Sequence, residues 1–268
     1  MVRAVLFSSI VMWSAGCDQV FQLERPPTPP VSEDDDGDGV MNGEDPCPHI
    51  AGESRTDVDQ DGISADCDVD DAVPSIGRYV SIRGGDTEDL VRAGDGIYRI
   101  DGDGILLGSV QNMTSLILPI DSGTVLVDLG VTTMDNAIED GEGASYVELG
   151  VFSVHRAFTP DHEMRGDNCF VGRDNAMPEP GYLEFNEDND WIPTRPRFRG
   201  PIGGMTGVVR HVRTPNRVTC RWSAEGMEDV AAGFDVDPVL RATTGKVAIT
   251  TDHLRVRLDY AWFSYQER

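Results

Sequence analysis

GKVAITTDHLRVRLDYAWFSY, residues 245–265, is the stretch on which the fold turns. Within it, Lys246–Thr250 and Arg255–Tyr265 are rich in β-branched and aromatic residues, with the period of 2 that marks a half-buried strand. The same signature recurs upstream at Tyr79–Ile82, Ile97–Ile100, Ile105–Leu107, Ser115–Pro119, Thr124–Leu129 and Ser145–Val154. It continues through Cys169–Gly172, Tyr182–Phe185, Gly207–Val212 and Arg217–Trp222. Clusters such as Asp101-Gly102-Asp103-Gly104 and Asp121-Ser122-Gly123 break the runs. No run has the 3.6 period of an amphipathic helix. Many short strands with close turn signals predict an all-β, antiparallel sandwich or jelly roll over residues 73–268. Trp222 and Trp262 fall inside strands and are expected in the core.

The order of the runs narrows the fold. Gly245–Thr251, followed by Leu258-Asp259-Tyr260-Ala261-Trp262-Phe263, resembles the closing strands of concanavalin A-like, laminin-G-type jelly rolls. Gly207–Val212, Arg217–Trp222 and Gly226 resemble the hairpin that precedes them in that family. The resemblance implies a head that recognises a glycan or a cell-surface protein, and a structural calcium held in part by Asp259. The long loop NEDNDWIPTRPRFRGPIGG, residues 186–204, is the candidate ligand site. Trp191 and Phe198 suit stacking, and Arg195, Arg197 and Arg199 suit hydrogen bonding to it. A loop that packs its Trp on the sandwich and pairs its arginines with Glu187, Asp188 and Asp190 would look the same.

Ahead of the head, Asp34 to Asp68 reads as two acidic calcium loops. Asp34, Asp36 and Asp38 stand at positions 1, 3 and 5, Gly39 at 6, Val40 at 7, Asn42 at 9 and Asp45 at 12. The second loop places Asp57, Asp59, Asp61, Gly62, Ile63 and Asp68 in the same register. Ca²⁺ takes six to eight oxygens, and alternate carboxylates wrap it where a Gly permits the sharp turn. Position 9 of the second loop is Ala65, with the carboxylate one place on at Asp66, so a water or a neighbour such as Asp70 is expected to complete that site. A disordered acidic linker is the competing reading. Without flanking helices these are not EF-hands.

The arrangement over residues 33–72 resembles the thrombospondin type 3 repeat, with Cys47-Pro48 closing one half and Asp66-Cys67-Asp68 the other. The chain has five cysteines. Setting Cys17 aside leaves four, an even number suited to an oxidising compartment and open to three pairings. The repeat's family pattern implies Cys47 with Cys67, and so Cys169 with Cys220.

Residues 1–16 have one charge at Arg3 and an apolar run, Ala4 to Trp13, too short to span a bilayer but suited to a secretory signal. Ser14-Ala15-Gly16-Cys17 resembles the bacterial lipobox, with Ser14 where that motif has Leu. By that resemblance Cys17 is acylated and tethers the protein to a membrane at the cell envelope, on its periplasmic or extracellular side. Several acyl chains give durable anchoring. An ordinary secreted protein cut nearby is the alternative. Residues 17–32 include Pro26-Pro27-Thr28-Pro29-Pro30, a stiff extended spacer. The acidic repeat, between anchor and head, is then expected to be a calcium-stiffened strut.

The net charge is −25, and Glu33 to Asp71 contributes more than half of it, 15 acidic residues against Arg55 alone. No basic patch exists for nucleic acid. The head has no E-x-D-x-E strand and no G-x-S-x-G, and its histidines lack metal-ligand spacing. Binding or adhesion is therefore the leading expectation. A surface glycoside hydrolase and a purely structural envelope protein are the alternatives.

Overall fold

The computed structural model describes residues 34–52, 54, 56–81, 91–94, 97–101, 104–109, 114–118, 120, 124–136, 146–154, 166–174, 176, 181–187, 190–191, 196–198, 205–235 and 246–266. Among them there is no helix. The strands are β1 (Ile76–Ser81), β2 (Val91–Gly94), β3 (Ile97–Asp101), β4 (Gly104–Ser109), β5 (Thr114–Leu118), β6 (Val125–Asn136), β7 (Tyr146–Val154) and β8 (Gly166–Asp174). They continue as β9 (Gly181–Glu187), β10 (Asp190–Trp191), β11 (Arg197–Phe198), β12 (Thr206–Thr214), β13 (Arg217–Ala224), β14 (Val230–Asp235), β15 (Val247–Asp252) and β16 (Leu254–Tyr265).

Two antiparallel sheets of eight strands each form a sandwich. The first runs β14-β13-β12-β6-β16-β4-β3, with β1 on the same edge of β16 as β4; the second runs β10-β9-β8-β7-β15-β5-β2, with β11 beside β9. The runs Ile97–Ile100 and Ile105–Leu107 pair as β3–β4, and the expected hairpin Gly207–Trp222 is β12–β13. The stretch that decides the fold, residues 245–265, does not form a hairpin. β15 lies in the second sheet and β16 in the first, joined through His253 at φ 53°. His tolerates that left-handed conformation better than a β-branched residue does.

Period 2 becomes packing in β6. Val125, Val127, Leu129 and Val131 point between the sheets and are fully buried, while Leu126, Asp128 and Thr132 alternate to the outer face. Leu149 and Val151 of β7 and Ile249 of β15 meet them from the second sheet. Cys169 of β8 and Cys220 of β13 close a disulfide between the sheets, Cα–Cα 5.9 Å, across a sequence separation of 51. In the chain-entropy account that link contributes about 4 kcal/mol. Beside it, Arg213 Nε donates to Asp167 Oδ2 at 3.1 Å, a buried ion pair that also spans the two sheets.

β16 changes parity along its length. Leu254, Val256 and Leu258 point inward; past a register shift between Leu258 and Tyr260, Ala261 and Phe263 do. The bulge turns Trp262 and Ser264 onto the outer face of the first sheet. There Trp262 and Leu126 form a second core with Cys47, Ile63 and Cys67 of the acidic repeat. The repeat is therefore packed on the sandwich. The strut expected between anchor and head is thus docked on the head: its disulfide and Ile63 have no core of their own, and the outer face of β6 and β16 supplies one.

Candidate metal centre

The two acidic loops share one backbone pattern. In the first, Asp34 Oδ1 accepts from Gly37 N–H at 2.8 Å and its Oδ2 from Gly39 N–H at 3.0 Å. Asp36 Oδ1 accepts from Asp38 N–H at 3.0 Å, and Asp38 Oδ1 from Val40 N–H at 2.7 Å. In the second, Asp57 accepts from Gln60 and Gly62, Asp59 from Asp61, and Asp61 from Ile63, at the same offsets. Gly39 and Gly62 sit at φ 94° and 92°, where an L side chain is strained. Position 4 is also left-handed in both loops: Gly37 at φ 77° and Gln60 at φ 65°. Gln60 carried no sequence signal for that conformation.

These contacts bring the carboxylates together. Asp34, Asp36 and Asp38 each offer an oxygen within 4.8 Å of the others, as do Asp57, Asp59 and Asp61. Burial pushes the Asp36 carboxyl up, and its neighbours Asp38 and Asp34 push it further, against a backbone hydrogen bond that lowers it. Asp59 is raised likewise, by burial and by Asp61, Asp68 and Asp57. The position 12 residues, Asp45 and Asp68, are buried although the segment is irregular. Asp36 Oδ2, Asp59 Oδ2 and Asp68 Oδ2 are buried and accept no hydrogen bond among the described residues. A hard divalent cation fits such a donor set: it takes carboxylate oxygens in numbers and relieves the repulsion among them. In the first loop Asp34, Asp36, Asp38, Asp45 and the Val40 carbonyl would hold it; in the second Asp57, Asp59, Asp61, Asp68 and the Ile63 carbonyl.

Other expected ligands are placed differently. Asn42 Oδ1 accepts from Asp35 N–H at 3.0 Å and ties the first loop to its own start. Asp66 Oδ2 accepts from Ser54 N–H at 2.6 Å and Asp70 Oδ1 from Ala72 N–H at 3.3 Å, so both brace turns. Asp259, the calcium ligand expected in the head, accepts from Arg257 Nε at Oδ1, 2.7 Å, and from Thr132 Oγ1 at Oδ2, 2.9 Å.

The seat of the repeat was not foreseen. Trp262 Nε1 donates to the Cys67 carbonyl at 2.8 Å, and Ser264 Oγ donates to Asp68 Oδ1 at 2.9 Å while accepting from Val69 N–H. Tyr79 OH donates to Asp35 Oδ2, and Asp61 Oδ2 accepts from Ser75 N–H at 2.6 Å just before β1. His49 stacks on Trp262 with ring centroids 5.6 Å apart, and its Nε2 lies 2.8 Å from Asp128 Oδ2. Arg210 donates to both Asp128 oxygens, Nε to Oδ1 at 2.7 Å. Burial alone would push the Asp128 carboxyl up, but His49 and Arg210 outweigh it and hold it below the usual carboxylate range. A His in the repeat and an Asp in a strand carry no mutual sequence signal, since it is the seating of the repeat on the outer face of β6 and β16 that brings them together.

The cysteines pair as Cys47–Cys67, Cα–Cα 5.9 Å, and Cys169–Cys220. Of the expected ligand loop, Trp191 lies in β10 opposite Asn186, and Arg197 and Phe198 lie in β11 opposite Tyr182 and Gly181. Arg195, Arg199 and Cys17, the expected acylation site, lie outside the described residues.

Scans of protein families and of curated proteins find no match to this sequence. Among solved structures, the seed lectin of Lotus tetragonolobus superposes with a TM-score of 0.53 and 9% identity, over 72% of this chain and 100% of that one. Lectin I-B4 of Griffonia simplicifolia, in a metal-free form, gives 0.52 and 13% over 72% and 100%. The Bauhinia forficata lectin in complex with GalNAc gives 0.50 and 10% over 72% and 99%. The sandwich thus has the concanavalin A-like jelly-roll fold of these lectins.

Proposed function

We propose that this chain is a calcium-binding cell-envelope protein, tethered through acylated Cys17, whose sandwich binds a glycan in a role of recognition or adhesion. The observation that carries the reading is the pair of matched loops, each gathering three carboxylates within 4.8 Å, fixed by backbone N–H groups and seated on a lectin-fold sandwich. Backbone N–H groups take one oxygen of Asp36 and of Asp59 and leave the other buried for a cation. The repeat corresponds to the thrombospondin type 3 pattern, and Ca²⁺ is the cation that suits all-oxygen sites of this kind. Glycan binding is favoured by the likeness to lectins, one of which was solved with GalNAc.

Two measurements on the mature chain test this. Calorimetric titration with Ca²⁺ is expected to show saturable uptake at up to millimolar concentration, and its absence would defeat the calcium reading. A glycan array probed with and without Ca²⁺, with reducing-sugar release followed alongside, is expected to give binding without release. Release of sugar would move the protein to the enzymes.

A further inference from the structure

The run Asp229-Val230-Ala231-Ala232-Gly233-Phe234-Asp235 contains β14, which ends one side of the first sheet, and its residue types read alike in both directions about Ala232. Small residues flank the centre, a large apolar residue follows on each side, and an aspartate stands at each end. The contacts repeat that symmetry. Arg221 of β13 donates to Asp229, and Arg217, at the other end of β13, donates to Asp235 Oδ1 at 2.6 Å. β14 pairs with β13 and has no strand on its other side among the described residues. Pro215-Asn216 is a two-residue turn, so Thr214 and Arg217 bond to each other within β12–β13. Alternation then turns Val218, Cys220 and Trp222 toward β14, where they meet Phe234, Ala232 and Val230. The backbone N–H and C=O groups of Ala231, Gly233 and Asp235 therefore point away from β13, along the open edge. Ala231 and Asp235 are exposed there. None of the devices by which edges refuse a partner, a Lys, a Pro or a bulge, occurs within β14.

We propose that β14 is a dimerisation edge, pairing antiparallel with β14 of a second copy about a two-fold axis at Ala232 and joining the two first sheets into one. A two-fold sets each residue against the one equally far beyond the centre, which favours a strand that reads alike both ways. Ala231 meets Gly233 of the second copy and exchanges backbone hydrogen bonds with it. Ala232 meets Ala232, and Val230 meets Phe234, which extends the core that both residues flank. Asp229 meets Asp235, each with its own arginine, so no bare carboxylate is set against another. An edge this short buries less than a standard interface, and the dimer is accordingly weak, with Kd in the micromolar range. The pairing does not depend on the glycan reading. Where that reading holds, it makes the head bivalent and strengthens its hold on a surface.

The test uses the soluble chain with Cys17→Ser. Sedimentation over a concentration series is expected to give a reversible dimer. Ala231→Pro removes a donor at the open edge and sets a ring against the second copy, while the ladder to β13 keeps its hydrogen bonds. It should melt with the wild type and weaken the dimer at least about a hundredfold. Ala232→Cys places a thiol against its own counterpart at a non-hydrogen-bonded pair, with Cα atoms about 4.5 Å apart and so within disulfide reach. It should oxidise in air to a covalent dimer. Ala231→Cys, whose counterpart is offset along the strand beyond about 7 Å, should not. If Ala231→Pro does not fold, the two cysteine variants decide. A wild type that stays monomeric into the millimolar range overturns the proposal. So does a dimer that Ala231→Pro leaves intact, or crosslinking at 232 no faster than at 231.

Discussion

His211 lies wholly buried on β12, facing between the sheets, where burial pushes its imidazole down to about 4; Asp167 works against that shift and Arg213 with it. The folded value is below the unfolded value of 6.5, so the unfolded chain takes up the proton first. Stability from neutral His211 is complete above 6.5 and is lost as pH falls toward 4. Between neutrality and pH 5 the loss is about 2 kcal/mol. Urea unfolding at the two pH values measures it, and His211→Gln is expected to flatten the difference; an equal slope in the variant would refute the assignment. Gly39 offers a second test at this scale. An added Cβ there meets nothing within 4 Å, so Gly39→Ala costs only the strain of φ 94°, about 1–2 kcal/mol. The folded chain carries that strain with or without an ion, so the apo protein should melt a few degrees lower. A variant that melts with the wild type would show that the loop takes up this conformation only around a cation, the cost then appearing as about tenfold weaker calcium affinity. Gly39 and Gly62 were legible in the sequence because the turn demands glycine. Gln60 was not, because its left-handed backbone is imposed by the carboxylates around it.

At the scale of elements, the strands with long runs of β-branched and aromatic residues were legible and the weakly patterned ones were not. β6, β7, β15 and β16 carry such runs, whereas β2 (VRAG) and β14 (VAAGFD) are short edge strands with Gly and Ala, and β10 and β11 have two residues each. The bulge in β16 left no trace in the pattern, since Leu258, Tyr260, Ala261, Trp262 and Phe263 are all apolar or aromatic and satisfy either parity. Yet that bulge decides which of Trp262 and Phe263 enters the sandwich and which faces the repeat. Trp262→Phe keeps the ring and removes the donor to the Cys67 carbonyl, which is buried at this seam. The variant should lose about 1–3 kcal/mol of stability, the cost of an unsatisfied buried acceptor. A chemical denaturation midpoint equal to wild type would show that water replaces the indole.

For the whole molecule, the seating of the repeat makes metal loading a matter of the stability of the head. Asp61 and Asp68 belong to the second carboxylate loop and also accept from Ser75 and Ser264, at the start of β1 and near the end of β16. Those two strands pair along six residues, from Ile76 with Tyr265 to Ser81 with Tyr260. A cation that orders the loop therefore orders the seam that covers Trp262, and the two elements should unfold together. A ligand present at a hundred times its Kd adds about 2.7 kcal/mol to a fold that binds it only when native. Millimolar Ca²⁺ is expected to raise the melting temperature of the full chain in one transition, followed by near-ultraviolet circular dichroism, which reports the strand tryptophans rather than the acidic loops. EGTA should lower it, and Asp68→Asn should blunt the response to both. A strut merely joined to the head would behave otherwise: its calcium would leave without moving the aromatic signal of the sandwich. That outcome would mean the hydrogen bonds at Trp262 and Ser264 hold the repeat whether or not it is loaded, and would separate the metal sites from the stability of the sandwich.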